Sequence, residues 1–151
     1  MVKREKVAVF FFALTLISAL SLWITSGVMV RFENGAKVNV EVVKEPLEIT
    51  TGLMFRDKLG KDKGMLFSYG YDDRHTIWMK NMKFSIDILW IDSTNRVVHV
   101  AGNVEPCVKE PCPVYIPSAD SRYVLEVNAN FAEENEIIPG HEVVIYQPSL
   151  F

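Results

Sequence analysis

Val28-Met29-Val30-Arg31-Phe32-Glu33-Asn34-Gly35-Ala36-Lys37-Val38-Asn39-Val40-Glu41-Val42-Val43 is the stretch that decides the fold. Val28, Val30 and Phe32 alternate with Met29, Arg31 and Glu33, and after Asn34-Gly35 the alternation resumes with Val38, Val40 and Val42. Side chains of a strand point to opposite faces in turn, so each half buries one face. Asn-Gly tolerates the positive φ angles of a type I′ turn, and the pair of runs therefore predicts a β-hairpin whose first strand starts at about Val28.

Upstream of the hairpin, no charged residue occurs from Val7 to Val30. As a helix, residues 7–27 would be about 31 Å long, which matches the hydrocarbon core of a bilayer. Lys3, Arg4 and Lys6 precede this segment. By the positive-inside rule they keep the N-terminus in the cytoplasm and send the rest of the chain across. The expected organisation is a cytoplasmic basic head over residues 1–6, a membrane anchor over 7–27, and an extracytoplasmic β-rich domain over 28–151. The alternative is a cleaved signal peptide with an apolar region from Val7 to Ile17 and the small residues Ala19 and Ser21 at the cut, which would leave the domain secreted. With almost no linker, the domain should sit against the outer membrane surface, and a protease should cut slowly between Gly27 and Arg31.

Downstream, Pro46 suits the first turn of a short helix reaching Thr51, and Gly52 closes it. Leu59 to Gly64 reads as a surface loop before a short strand at Met65-Leu66-Phe67. Further strands are expected at Thr76–Lys80, Ile86–Ile91, Arg96–Ala101, Tyr123–Val127 and Glu142–Tyr146. Asn103 to Ser118 carries four prolines and reads as a long irregular loop. Asn130 with Glu133 resembles a capping box that opens a second short helix. The fold class is thus mainly β: a small antiparallel β-barrel or sandwich with two short helices, preceded by one N-terminal transmembrane helix.

The chain has 151 residues, of which 49% are hydrophobic, so one domain with a contiguous core is expected and disorder is not. Its formal charge is −3, and removing the basic head leaves the remainder more acidic still. That sign opposes a phosphate backbone, and no basic stripe is present, which argues against nucleic acid as a partner.

Cys107 and Cys112 are the only cysteines. Outside the cytoplasm they would pair, clamping the proline-rich loop by roughly 2 kcal/mol. A zinc pair would lack its further ligands, and a redox pair would use two intervening residues where this chain has four. Met54, Met65, Met79 and Met82 crowd one stretch, either as a soft Cu(I) site or as core packing beside Phe55, Phe67 and Trp78. Asp87 shares the apolar face of Leu89 and Ile91, and an acid there must find a partner such as Arg56 or Lys80, or else line a cleft. Glu126, between Leu125 and Val127, poses the same problem. His75, His99 and His141 are scattered and read as solvated or core histidines. No phosphate loop, nucleophile elbow or metalloprotease helix motif occurs.

Five motifs in order, Gly52-Leu53-Met54-Phe55-Arg56, Gly64-Met65-Leu66-Phe67, Trp78-Met79-Lys80-Asn81, Asp87-Ile88-Leu89 and Tyr123-Val124-Leu125-Glu126-Val127-Asn128-Ala129, resemble domain of unknown function family 192, also called uncharacterised protein family 0127. The resemblance spans Val38 to about Val144. It implies a compact, mostly β fold, often preceded by a signal or membrane segment and often carrying the cysteine pair of Pro106-Cys107 and Pro111-Cys112-Pro113, with no established activity. The family usually shows Gly-Asp before the final strand, where this chain has Gly140-His141.

The reading that follows is a membrane-anchored binding or accessory domain that takes an unidentified small ligand or protein partner. Its cleft would be formed by Arg56, Trp78, Lys80, Asn81, Asp87 and Glu126, with no cofactor and no catalytic role assigned. The alternatives are a copper-handling protein using the methionines and a hydrolase using Asp87 or Glu126.

Overall fold

The computed structural model describes residues 27–147. The expected head and transmembrane helix lie outside the described residues, Gly27 apart, and no helix among the described residues is long and apolar enough to cross a membrane. Nine strands and two short helices are described: β1 Val28–Phe32, β2 Lys37–Val43, α1 Pro46–Thr51, β3 Lys63–Asp73, β4 Ile77–Trp78, β5 Ile86–Ile91, β6 Val97–Val104, β7 Val114–Tyr115, β8 Ser121–Asn128, α2 Phe131–Glu134 and β9 Val143–Tyr146. The molecule is mainly β, as its alternating pattern demands.

Seven strands form one sheet in the order β6-β5-β8-β3-β2-β1-β9, and β4 pairs with β7 in a separate two-stranded sheet. The expectation of a purely antiparallel sheet is corrected at one place, because β2 and β3 run parallel, with Asn39 opposite Lys63 and Val43 opposite Phe67. α1 and the loop after it carry the chain back to the starting end of β2, and a crossover of that length is what a parallel pair requires.

The β1–β2 hairpin is present, with Val28 opposite Val40 and Arg31 opposite Lys37. Its turn is not type I′. Only Gly35 has positive φ, at 92°, while the Phe32 carbonyl accepts from the Gly35 amide and the Phe32 amide donates to Ala36, both at 2.9 Å. This is the longer hairpin loop that ends on one glycine, and the Asn34 side chain supports it by accepting from the Ala36 amide.

The sheet curls into a half-barrel. Its two edge strands meet at a seam where Arg96 bridges Glu142, the Gly140 amide donates to the Val97 carbonyl at 2.7 Å, and the Val97 amide donates to the His141 carbonyl at 2.9 Å. The departure from Gly-Asp at Gly140-His141 therefore falls on this seam, where the backbone makes the contacts. One core fills the inside of the curl with residues from all seven strands, including Phe32, Val38, Leu66, Leu89, Val97, Leu125 and Val143. A second core lies on the outer face of β3, β5 and β8, where Met65, Phe67, Ile88, Trp90 and Val124 are covered by Leu53, Ile77 and Met79.

Asp87 and Gly64 hold the inner layer in register. The Asp87 carboxylate, 1% exposed, accepts from three backbone amides: Asn103 at 2.7 Å and Asn130 at 3.1 Å on Oδ1, and Ala132 at 2.7 Å on Oδ2. The expected capping box at Asn130 does not form. Asn130 sits at φ 69° with no side-chain cap, and Asp87 serves the open amides of α2 from across the fold. At Gly64 a Cβ would lie 2.8 Å from the Glu126 carbonyl oxygen, so β3 can approach β8 this closely only without a side chain. In the proline-rich loop, Cys107 and Cys112 are joined, with Cα atoms 5.5 Å apart.

Asp87→Ala should therefore lower unfolding free energy by about 2–4 kcal/mol in urea titrations, since three buried amides lose their acceptor. Asp87→Asn should also destabilise, because its NH₂ would face an N–H. Gly64→Ala should cost about 1–3 kcal/mol.

Candidate ligand-binding site

The cover over the outer core is incomplete, and the gap is a cavity of about 350 Å³. Its floor is Phe67 of β3 and Glu126 of β8. One wall is the end of α1 with the turn behind it, from Ile49 to Met54. Gly52 has φ 49°, and a Cβ there would sit 3.1 Å from the Phe67 ring, so glycine lets this turn settle onto the floor. The facing wall runs from His75 to Trp78 and includes Met82.

The two walls are tied together at the rim. The Phe55 amide donates to the Asn81 carbonyl at 3.0 Å, and both residues adopt left-handed backbone, at φ 66° and 57°. The Met79 carbonyl accepts from the Cys107 amide at 3.0 Å, which fastens the bridged loop to the same rim. Lys80 reaches Glu110 of that loop at 2.6 Å while its Nζ lies 5.4 Å from the centre of the Trp78 ring.

Glu126 is 5% exposed and belongs to the floor, opposite Met65 on β3 and Ile88 on β5. Burial pushes its carboxyl up to about 8, and among the described residues no ion pair or hydrogen bond acts against it. Beside it, the Tyr69 phenol is pushed up to about 12, first by burial and then by Glu126 and Tyr71. The His75 ring stacks on Tyr69 at 3.6 Å, and its Nε2 lies 3.2 Å from the Tyr71 carbonyl. A buried acid with no partner, open to a cavity, is a group that a bound molecule can satisfy.

Of the six residues expected to share one cleft, only Trp78 and Glu126 line this cavity. Asp87 lies on the inner face, committed to backbone amides, and pairs with neither Arg56 nor Lys80. Arg56 instead makes a bidentate pair with Glu41 at 2.7 Å, which holds the Glu41 carboxyl below its ordinary value. Lys80 and Asn81 shape the rim. Of the four methionines, Met54 and Met82 line the cavity, whereas Met65 and Met79 are buried in the outer core. Among the described residues, no group of three or more His, Cys, Asp or Glu is placed to hold a metal.

Tyr69, His75, Thr50 and Thr51 went unremarked in the sequence as site residues. They come from three separated segments, and no local spacing signals them. The buried Glu126 was legible from its place between Leu125 and Val127.

The DUF192 family, described as "Uncharacterized ACR", matches residues 29–145. A crystal structure of a protein of unknown function from Novosphingobium aromaticivorans DSM 12444 is similar at 30% identity and a TM-score of 0.70, covering 78% of this chain and 83% of that one. A protein from Sinorhizobium meliloti 1021, described as a proposed transcription regulator, is similar at 29% identity and a TM-score of 0.72, covering 78% of this chain and 92% of that one. No curated protein matches.

The native state keeps the Glu126 proton up to about pH 8, whereas an unfolded carboxyl releases it near its ordinary value of 4.5. The folded form thus binds more protons in that window, and stability falls as pH rises through it, by at most about 1.4 kcal/mol per pH unit. Denaturation midpoints between pH 5 and 8 should show this slope, and Glu126→Gln should flatten it and raise stability at pH 8.

Proposed function

The chain belongs to the DUF192 family of uncharacterised proteins, and from that premise we propose that it is a membrane-anchored extracytoplasmic domain that binds a small organic molecule in the cavity above Glu126. The observation that carries this reading is Glu126 itself, a residue 5% exposed whose carboxyl has no hydrogen-bond partner among the described residues and opens onto a cavity that other motif residues build. A protein selected for stability alone would fill that position with an apolar residue, since leaving a polar group unpaired in the interior costs free energy. A volume of about 350 Å³ falls at the small end of ligand pockets, roughly 300–1,000 Å³.

The anchor reading rests on the uncharged run from Val7 to Val30 behind Lys3, Arg4 and Lys6. It is supported by the position of β1, which starts at Val28 and lies between β2 and β9, so the first strand follows the apolar segment without a stalk. The regulator description of the Sinorhizobium protein is not carried over, because an acidic chain repels a phosphate backbone. Hydrolysis by Asp87 is likewise not carried forward, its carboxylate being occupied by three amides.

A second reading keeps soft-metal handling in reduced form, with Met54 and Met82 as the thioethers, since both line the cavity that His75 also lines.

Native mass spectrometry of the full chain released from host membranes should show an added small-molecule mass that disappears in Glu126→Leu while the fold persists. Only apo masses across preparations would end the small-molecule reading. Copper found by elemental analysis of the same material, and lost in Met54→Leu with Met82→Leu, would replace it with the metal reading. Protease added outside sealed cells should cut slowly between Gly27 and Arg31, and ready cleavage there would argue for a stalk.

A further inference from the structure

We propose that the cavity takes an organic cation, with an ammonium group seated against Glu126 and the apolar remainder of the molecule held between Trp78, Met54 and Met82. The inference rests on the reading of this cavity as a ligand site and names its ligand class.

The lining chooses the sign. Glu126 is the one carboxylate among the lining residues, and neither Lys nor Arg joins it. An anion would find no lysine or arginine in the lining to offset it, and its desolvation would go uncompensated. The remaining walls are electron-rich: Trp78, Tyr69 with the His75 ring stacked on it, and two thioethers. Aromatic faces attract ammonium groups, and Trp78 already does so at the rim, where the Lys80 ammonium lies 5.4 Å from its ring centre. The hydroxyls of Thr50 and Thr51 donate back to the Pro46 and Leu47 carbonyls at 2.8 Å, so towards the cavity they present acceptor lone pairs. These two hydroxyls are therefore ready to receive a donor.

Binding of a cation must also move a proton. In the empty cavity Glu126 holds its proton at neutral pH, and an ammonium against it favours the ionised form, so one proton leaves to solvent as the ligand enters. The other titratable groups in the lining are Tyr69 of β3 and His75 after it, with Tyr71 edge-on behind His75; β5 presents Ile88, and α1 contributes no charged side chain to the lining. Affinity for a permanently protonated amine should then rise with pH until Glu126 ionises unaided, near pH 8.

Calorimetric titration of the detergent-solubilised full chain with three probes of one shape decides the matter: phenethylammonium, 2-phenylethanol and 3-phenylpropanoate. The expected result is that phenethylammonium binds at least about tenfold more tightly than either other probe, that its Kd falls about tenfold from pH 6 to pH 7, and that Glu126→Gln removes both the preference and the pH dependence. Near-UV circular dichroism of Glu126→Gln superimposable on the native spectrum shows that the loss is not unfolding, and pH dependence that persists in that variant overturns the assignment of the displaced proton to Glu126. Equal or tighter binding of 2-phenylethanol or 3-phenylpropanoate overturns the cation inference and leaves the ligand site standing. Binding of none of the three overturns both.

Discussion

In β5 every residue from Ile86 to Ile91 is buried, on both faces of the strand. That two-sided burial is the constraint on which the rest of the structure depends. A half-barrel whose edge strands meet at Arg96 and Glu142 encloses its inner face, which Ala132 and Ile137 of the α2 segment complete. It cannot cover the outer face of its central strands, and apolar side chains such as Trp90 and Ile88 need a second layer. α1, the turn after it, and the β4–β7 pair supply that layer from segments too short to hide everything. The cavity is the part of the outer core that the cover leaves open.

The two buried carboxylates of the domain illustrate how differently one residue class is used on the two faces. On the inner face, Asp87 has three amide donors and acts as a fastener between β5, the end of β6 and the start of α2. On the outer face, Glu126 has no donor among the described residues, and its proton is held by burial. The first arrangement stabilises the fold, while the second destabilises it above the ordinary carboxyl range.

The five motifs that carry the family resemblance acquire separate physical duties. Gly52 to Arg56 forms one wall, and the Phe55 amide joins it to the Asn81 carbonyl of the Trp78 to Asn81 segment opposite. Gly64 to Phe67 begins with the residue that permits close approach to β8 and ends with one that floors the cavity. Asp87 to Leu89 fastens the inner layer, and Tyr123 to Ala129 delivers Glu126. Four of the five thus surround the cavity, which ties the sequence signature to one place in the fold.

The alternation from Val28 to Val43 determined the hairpin, because a period of two fixes which face each residue takes whatever the rest of the chain does. The same rule put Asp87 on the apolar face of Leu89 and Ile91 and flagged Glu126 as an acid among apolar neighbours, without relating the two strands to each other. Pro46 and Gly52 marked α1 through backbone geometry, and the resemblance named the family. What required the tertiary structure was every relation between distant segments. The turn type at Asn34-Gly35 was settled by the register of the flanking strands, the parallel β2–β3 pair by the crossover, and the capping of α2 by a carboxylate more than forty residues away in sequence. Arg56 and Lys80 looked like partners for Asp87 as long as only composition was considered, yet they found Glu41 and Glu110 because those acids lie on the outer face with them. A local pattern reports whether a group is buried. Whether it then meets a donor, or an open cavity, depends on which strands become neighbours, and that is decided by the curl of the whole sheet.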